Sequence, residues 1–177
     1  MATIRERRSI LRFTREPVDD RKIETILEAG RWAPSFGNSQ PWEFVVVKDA
    51  TLRRKMSTIA AGVTIAQKGI ESAPVVIVTC VDPRKDSSHF IEAGAVATHN
   101  MALAAHSLGL ASYWIGIYSG KSTNGSAEEK VKRLLGVPQR HRVIAFLPIG
   151  VPAYHIVKER KALNEIVHYD TWKPIKG

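Results

Sequence analysis

The sequence predicts an α+β fold, and three observations carry the prediction. Helical and strand-like stretches interleave without the regular βαβ rhythm that builds a parallel sheet. Val75-Val76-Ile77-Val78-Thr79-Cys80 is nearly continuous in apolar character, as a strand covered on both faces must be. Finally, Ser88 to Leu108 reads as a long Ala-rich helix with little polar face, so it too must be covered nearly all round. In a chain of 177 residues, covering that helix calls for a second subunit.

Taken in order, Val18 to Arg31 has Ile23, Ile26, Leu27 and Gly30 at helical spacing, with Asp19 or Asp20 placed to cap its start. Glu43-Phe44-Val45-Val46-Val47 is a strand ended by Lys48-Asp49. Thr51 to Ile70 reads as one helix, broken at Ala73-Pro74 before the second strand. The Ala-rich helix stops at Gly109, a residue suited to the left-handed position after a helix. Ala111 to Ile115 forms a third strand, Ala127 to Leu135 a short helix and Val143 to Ile149 a fourth strand.

This length fits one domain, 1–177, and buries enough surface to fold without metal or disulfide. A single cysteine, Cys80, excludes an internal disulfide framework and suits a reducing compartment. With no apolar run of membrane-spanning length and no secretory leader at Met1–Arg5, the expectation is a soluble cytoplasmic protein without membrane or nucleic-acid partners. The excess of 26 Lys and Arg over 17 Asp and Glu does not alter that. Its basic residues concentrate at the two ends, mixed with acidic ones and without interleaved aromatics, which favours a small anion such as a phosphate ester.

Familiar catalytic patterns do not fit. Gly116-Ile117-Tyr118-Ser119-Gly120-Lys121-Ser122 has three residues between its glycines where a P-loop has four. There is no GxGxxG or GxSxG. No two histidines are four residues apart, and His89 with Glu92 is a weak metal pair. Cys80 lies within a buried strand, where thiols are inert.

Four segments remain. Arg7-Arg8-Ser9 follows a helix and offers two guanidiniums and a hydroxyl to an anion. The loop from Ala33 to Phe44 carries Pro34, Ser35, Asn38, Ser39 and Gln40, whose hydroxyls and amides suit the polar edge of a cofactor, or simply cap a loop. Trp114-Ile115-Gly116 ends a strand on a glycine, where backbone can approach a flat ligand. Lys158-Glu159-Arg160 places two cations on one side of an extended segment.

Together these segments resemble the nitroreductase family over essentially the whole chain. Arg7-Arg8-Ser9-Ile10 through Phe13 is similar to the family's opening R-R-S-I-R-x-F. Ala33-Pro34-Ser35 with Asn38 and Gln40-Pro41-Trp42-x-Phe44 is similar to its A-P-S-x-x-N-x-Q-P-W-x-F signature. Gly109-Leu110-Ala111, Trp114-Ile115-Gly116 and the ending Arg160-Lys161 through Tyr169 add support. The resemblance implies a mainly antiparallel sheet flanked by helices, in an intertwined homodimer with FMN at the subunit interface. Arg7, Arg8 and Ser9 would hold FMN from one side, Lys158 and Arg160 would reach its phosphate, and Pro34, Ser35 and Asn38 would come from the partner subunit. Backbone at Ile115, Gly116 and Ile117 would face flavin N5. NADPH or NADH would deliver hydride there, and nitroaromatics, quinones or flavins would collect the electrons in a ping-pong cycle with no catalytic side chain. Reductive dehalogenation or carbon–nitrogen oxidation on the same fold, and flavin or anion binding without turnover, are the alternatives. The Ser119–Ser126 loop, too short for a closed lid, favours an open site. One departure stands out: Leu11 occupies a position where the family often has a cation, the charge moves to Arg12, and Lys68 is the candidate substitute.

Overall fold

A computed structural model describes residues 1–120 and 125–172. Its elements are α1 (Ala2–Glu6), α2 (Asp20–Arg31), β1 (Trp42–Val47), α3 (Ala50–Ala60), α4 (Lys68–Ser72), β2 (Val75–Val81), α5 (Phe90–Ser107), β3 (Ala111–Ser112), β4 (Ile115–Gly116), α6 (Ala127–Leu135) and β5 (Arg142–Gly150). All strand pairs are antiparallel, in the order β1-β2-β5-β3, with β4 also on β5.

Period-two alternation in β2 divides the core into two faces. Val76, Val78 and Cys80 point to the side covered by α3, α4 and α6, where they pack with Met56, Ile70, Val131 and Phe146. Val75 and Ile77 point the other way, into Ile23 and Ile26 of α2 and Met101 and Ala105 of α5. Every residue of β2 is buried, as expected for a central strand. A fully enclosed Ile such as Ile26, Ile70 or Ile77 contributes about 1.5–3 kcal/mol.

Helix starts follow the sequence. Asp19 caps α2 by accepting from the Arg21 N–H, Asp49 caps α3 and Ser126 caps α6. Helix α5 lays Ala93, Ala97, Met101 and Ala105 on the sheet. Its own chain does not enclose it, because Ile91 and Val96 remain exposed.

Two expectations are corrected. The helix read over 51–70 is two, α3 and α4, separated by turns. Gly62 and the β-branched run Val63-Thr64-Ile65 weaken helical continuation, and the Thr64 hydroxyl accepts the Ala66 N–H instead. The strand read over 111–115 is also two short pieces, β3 and β4, which keep one register along β5. That register sets Tyr113 opposite Pro148, which has no N–H to donate, so the ladder breaks there.

Candidate functional site

The chain leaves α1 at Arg7, whose backbone is extended (φ −54°, ψ 131°). From there it runs beside the segment that follows β5, in opposite directions. Thr14 N–H donates to Val151 O (2.9 Å), Phe13 bridges Pro152, Ala153 N–H donates to Arg12 O (3.1 Å) and Leu11 N–H donates to Tyr154 Oη (3.1 Å). On the other flank Ile10 N–H donates to Ser112 O (3.2 Å). This lacing brings Arg7, Arg8 and Ser9 to the same place as Lys158 and Arg160, about 150 residues later in the chain.

Those five residues, with Leu11, Tyr154 and Ile156, line a cavity of about 320 Å³. Four of the lining residues are cations and none is a carboxylate. None of the ion pairs among the described residues involves Arg7, Arg8, Lys158 or Arg160. Burial, and then the neighbouring charges of Arg8 and Arg160, push the Arg7 guanidinium below its usual pKa. Concentrated, part-buried positive charge without a counter-charge favours an anion with several oxygens, a phosphate above all.

Arg8 is used differently from its neighbour. Its Nη1 donates to Arg5 O (2.6 Å) and Arg7 O (2.7 Å), the carbonyls at the end of α1, and its Nη2 donates to Lys158 O (3.3 Å). Its Nε is buried without a hydrogen-bond partner.

Pro34, Ser35 and Asn38 lie apart from this cavity, on a tight turn between α2 and β1. Gly37 (φ 54°), Asn38 (φ 56°) and Gln40 (φ 46°) all adopt positive φ, and Ser35 Oγ accepts the Gln40 N–H (3.0 Å). Two non-glycine residues in that region within one turn mark stored backbone strain, a frequent feature of binding loops. The turn carries Phe36 outward, 68% exposed, with its ring stacked on His89 (4.5 Å) at the start of α5. His89 in turn pairs with buried Asp86 (Nδ1 to Oδ1, 3.3 Å) rather than with Glu92. Sequence reading passed over this aromatic pair, since nothing local announces that residues 53 apart will stack.

Ile115 is buried beside Phe146 of β5, whereas Gly116 is exposed. A Cβ built on Gly116 would touch only Trp114 Nε1, at 3.6 Å, so packing within the chain does not demand glycine there. Open backbone at a strand end is what a flat ligand needs for close contact.

Where the cation is missing, Leu11 lines the cavity itself, and the Arg12 guanidinium sits 5.5 Å over the Tyr154 ring. Lys68 borders a different cavity, with Phe13, Arg15 and Arg53. The following residue, Gly69, abuts Leu11: a Cβ there would lie 2.5 Å from Leu11 O. Tyr154 was not legible as a site residue, and only the lacing described above gives it a role. Cys80 is buried, and burial pushes its thiol up to about 12, in keeping with an inert side chain. The P-loop-like stretch and the expected open loop fall partly on residues 121–124, outside the described residues.

A model of the nitroreductase family matches residues 4–151. The chain belongs to this family. It is similar to the NADPH-flavin oxidoreductase of Vibrio harveyi, 31% identical over 184 residues covering 98% of this chain and 74% of that protein. It is also similar to the iodotyrosine deiodinase of Hydra vulgaris, 27% identical over 91% of this chain and 69% of that one. The structure of an FMN-dependent nitroreductase from Clostridium difficile R20291 superposes with a TM-score of 0.88 at 27% identity, covering 97% and 99% of the two chains. The fold is therefore the nitroreductase fold, an antiparallel sheet flanked by helices. Among the described residues no helix is long and apolar enough to cross a membrane.

Proposed function

We propose that this protein is an FMN-dependent NAD(P)H oxidoreductase that passes electrons to flat, electron-poor acceptors. The reading rests above all on one observation. Two cation-bearing segments from opposite ends of the chain meet at a cavity with no carboxylate in its wall. A phosphate fits that donor set: Arg7, Lys158 and Arg160 supply charge, and Ser9 a hydroxyl.

FMN, when bound, would supply the redox chemistry, hydride acceptance at N5 from NADPH or NADH and electron donation to nitroaromatics, quinones or flavins. The protein's own residues do the rest. Arg7, Lys158 and Arg160, holding the phosphate, would fix the position of the ring system linked to it and so turn weak stacking into a defined geometry. The exposed backbone of Gly116 offers a close approach to a flat ring. Pro34, Ser35 and Asn38, on their strained turn, are assigned to the other wall of a site completed by a second copy.

A homodimer with its sites at the interface is supported by what one copy leaves uncovered. The C-terminal arm exposes Val157, Leu163, Ile166, Tyr169 and Trp172, and α5 exposes Ile91 and Val96. That much unburied apolar surface is the mark of an interface rather than of a solvated face. The reading takes the whole chain as one such FMN-binding domain and its setting as cytoplasmic, which a single buried cysteine supports.

The test is direct. Purified protein loaded with FMN is yellow, bleaches with NADPH or NADH, and recolours when a quinone is added. Protein unable to take up FMN overturns the reading. Reductive dehalogenation is the second reading, favoured by the deiodinase relatives; iodotyrosine reoxidising the bleached protein faster than quinone would select it.

A further inference from the structure

We infer that Arg8, which sequence pattern groups with the phosphate ligands, is a positioning residue that latches the cationic strap Lys158–Arg160 in place. The inference rests on the proposed anion site, because it concerns how that site is assembled.

Three observations carry it. First, three of the five N–H donors of Arg8 go to main-chain carbonyls from the two ends of the chain, Arg5 and Arg7 on one side and Lys158 on the other. Its remaining nitrogen, Nε, is buried without a hydrogen-bond partner. Second, Arg8 N-terminally closes a series of contacts that fasten residues 11–14 to residues 151–154. Beyond Tyr154, among the described residues, the Arg8 bond to Lys158 O alone reaches the strap from residues 1–14. Third, the strap cannot hold itself. Residues 157–162 have no regular secondary structure, and Val157 is 90% exposed. Arg160 donates only to the adjacent Glu159 O (3.0 Å).

The chemistry suits a guanidinium. Its planar fork can bind carbonyls on two sides at once, which an ammonium on a single-point stem does with less geometric control. Arg8 thus closes α1 at its C-terminal carbonyls and uses that closed end as the anchor for Lys158. The division of labour within Arg7-Arg8-Ser9 is that Arg7 and Ser9 face the anion while Arg8 fixes the other cations at the right distance.

Trypsin reads this directly, because the carbonyl held by Arg8 is that of the bond cleaved after Lys158. In the full-length protein, Arg8→Ala should speed cleavage after Lys158 roughly tenfold, the weight of one lost charge-assisted bond. Cleavage after Arg31 in α2 serves as the reference, and a preserved circular dichroism spectrum shows that the variant folds. Should Arg8→Ala fail to fold, Arg8→Lys, which keeps the charge but not the fork, should give the same sense of change. Unaltered cleavage after Lys158 in a folded variant overturns the latch, whether or not the protein binds FMN.

A double-mutant cycle supplies the second readout, the FMN dissociation constant. If Arg8 acts through the strap, adding Arg8→Ala to Lys158→Ala/Arg160→Ala weakens FMN little further. Fully additive losses would make Arg8 a phosphate ligand in its own right and overturn the proposal. Failure of every version, wild type included, to bind FMN would sink the proposed function and leave the proteolysis result standing.

Discussion

Two clusters of basic side chains in this molecule teach opposite lessons. At the junction of α6 and β5, the Arg142 guanidinium grips the Glu128 carboxylate with two bonds (2.8 and 2.9 Å), while Val143 N–H donates to the same group (3.0 Å). Lys132 lies beside it, bonded to Glu129 (3.3 Å) and to Gln139 O (3.1 Å). Glu128 and Lys132 are fully or nearly fully buried, and the Glu128 hydrogen bonds raise the Arg142 pKa. Each charge there has its opposite, and the cluster is part of the core. The cavity between the chain ends holds the same residue types with no opposite charge, and there burial lowers the Arg7 pKa. Balanced charge fastens two elements together; unbalanced charge awaits a ligand. The paired Arg142 guanidinium is held above its usual pKa and the part-buried Arg7 guanidinium below it.

The contrast can be broken at its strong end first. Glu128→Ala leaves the Arg142 guanidinium without its carboxylate and Lys132 with Glu129 alone, and should cost about 3–5 kcal/mol in urea denaturation. A loss below about 1 kcal/mol would mean that the pair is no better than a surface one. At the other cluster, Arg7→Ala should leave the denaturation midpoint nearly unchanged and weaken FMN binding by about 1.5–3 kcal/mol. If stability fell and binding did not, the cavity would belong with the structural charges. A smaller effect is expected at the strained turn. Phe36→Ala removes an exposed aromatic face, so binding of a nitroaromatic to the oxidised, FMN-loaded protein should weaken by about 0.5–1.5 kcal/mol with FMN content intact. Equal affinity by calorimetry would show that Phe36 does not meet the acceptor.

The smallest expected effect concerns Cys80. Burial raises its thiol from 9.0 to about 12. The neutral thiol is the favoured form, so this contribution to stability is complete below the unfolded value and is lost as pH climbs from about 9 through 12. Folded protein should resist iodoacetamide near neutral pH and react once unfolded. Rapid labelling of the native state would show that the β2 core opens easily.

Much of this was legible in one dimension. Apolar runs, helical spacing and capping residues located α2, α5, α6 and the long strands to within a residue or two, because those signals act over one or two turns of chain. The joins were harder. The break between β3 and β4 depends on Pro148 lying opposite Tyr113, a fact about the partner strand. The end of α3 turned on a local contest between helix and the Thr64 hydroxyl, and the apolar spacing that suggested one long helix could not weigh it.

The candidate site divides the same way. Sequence by itself determined which residues carry charge, amide and hydroxyl groups, and the order in which the two motifs appear, since side-chain chemistry and family pattern are written locally. Only the tertiary structure decided that Arg7 and Arg160 share a cavity, that Arg8 gives three of its donors to main-chain carbonyls, and that Phe36 stacks on His89. Those outcomes depend on contacts between segments far apart in the chain, fixed by how the sheet and its helices pack, and no window of neighbouring residues contains that information.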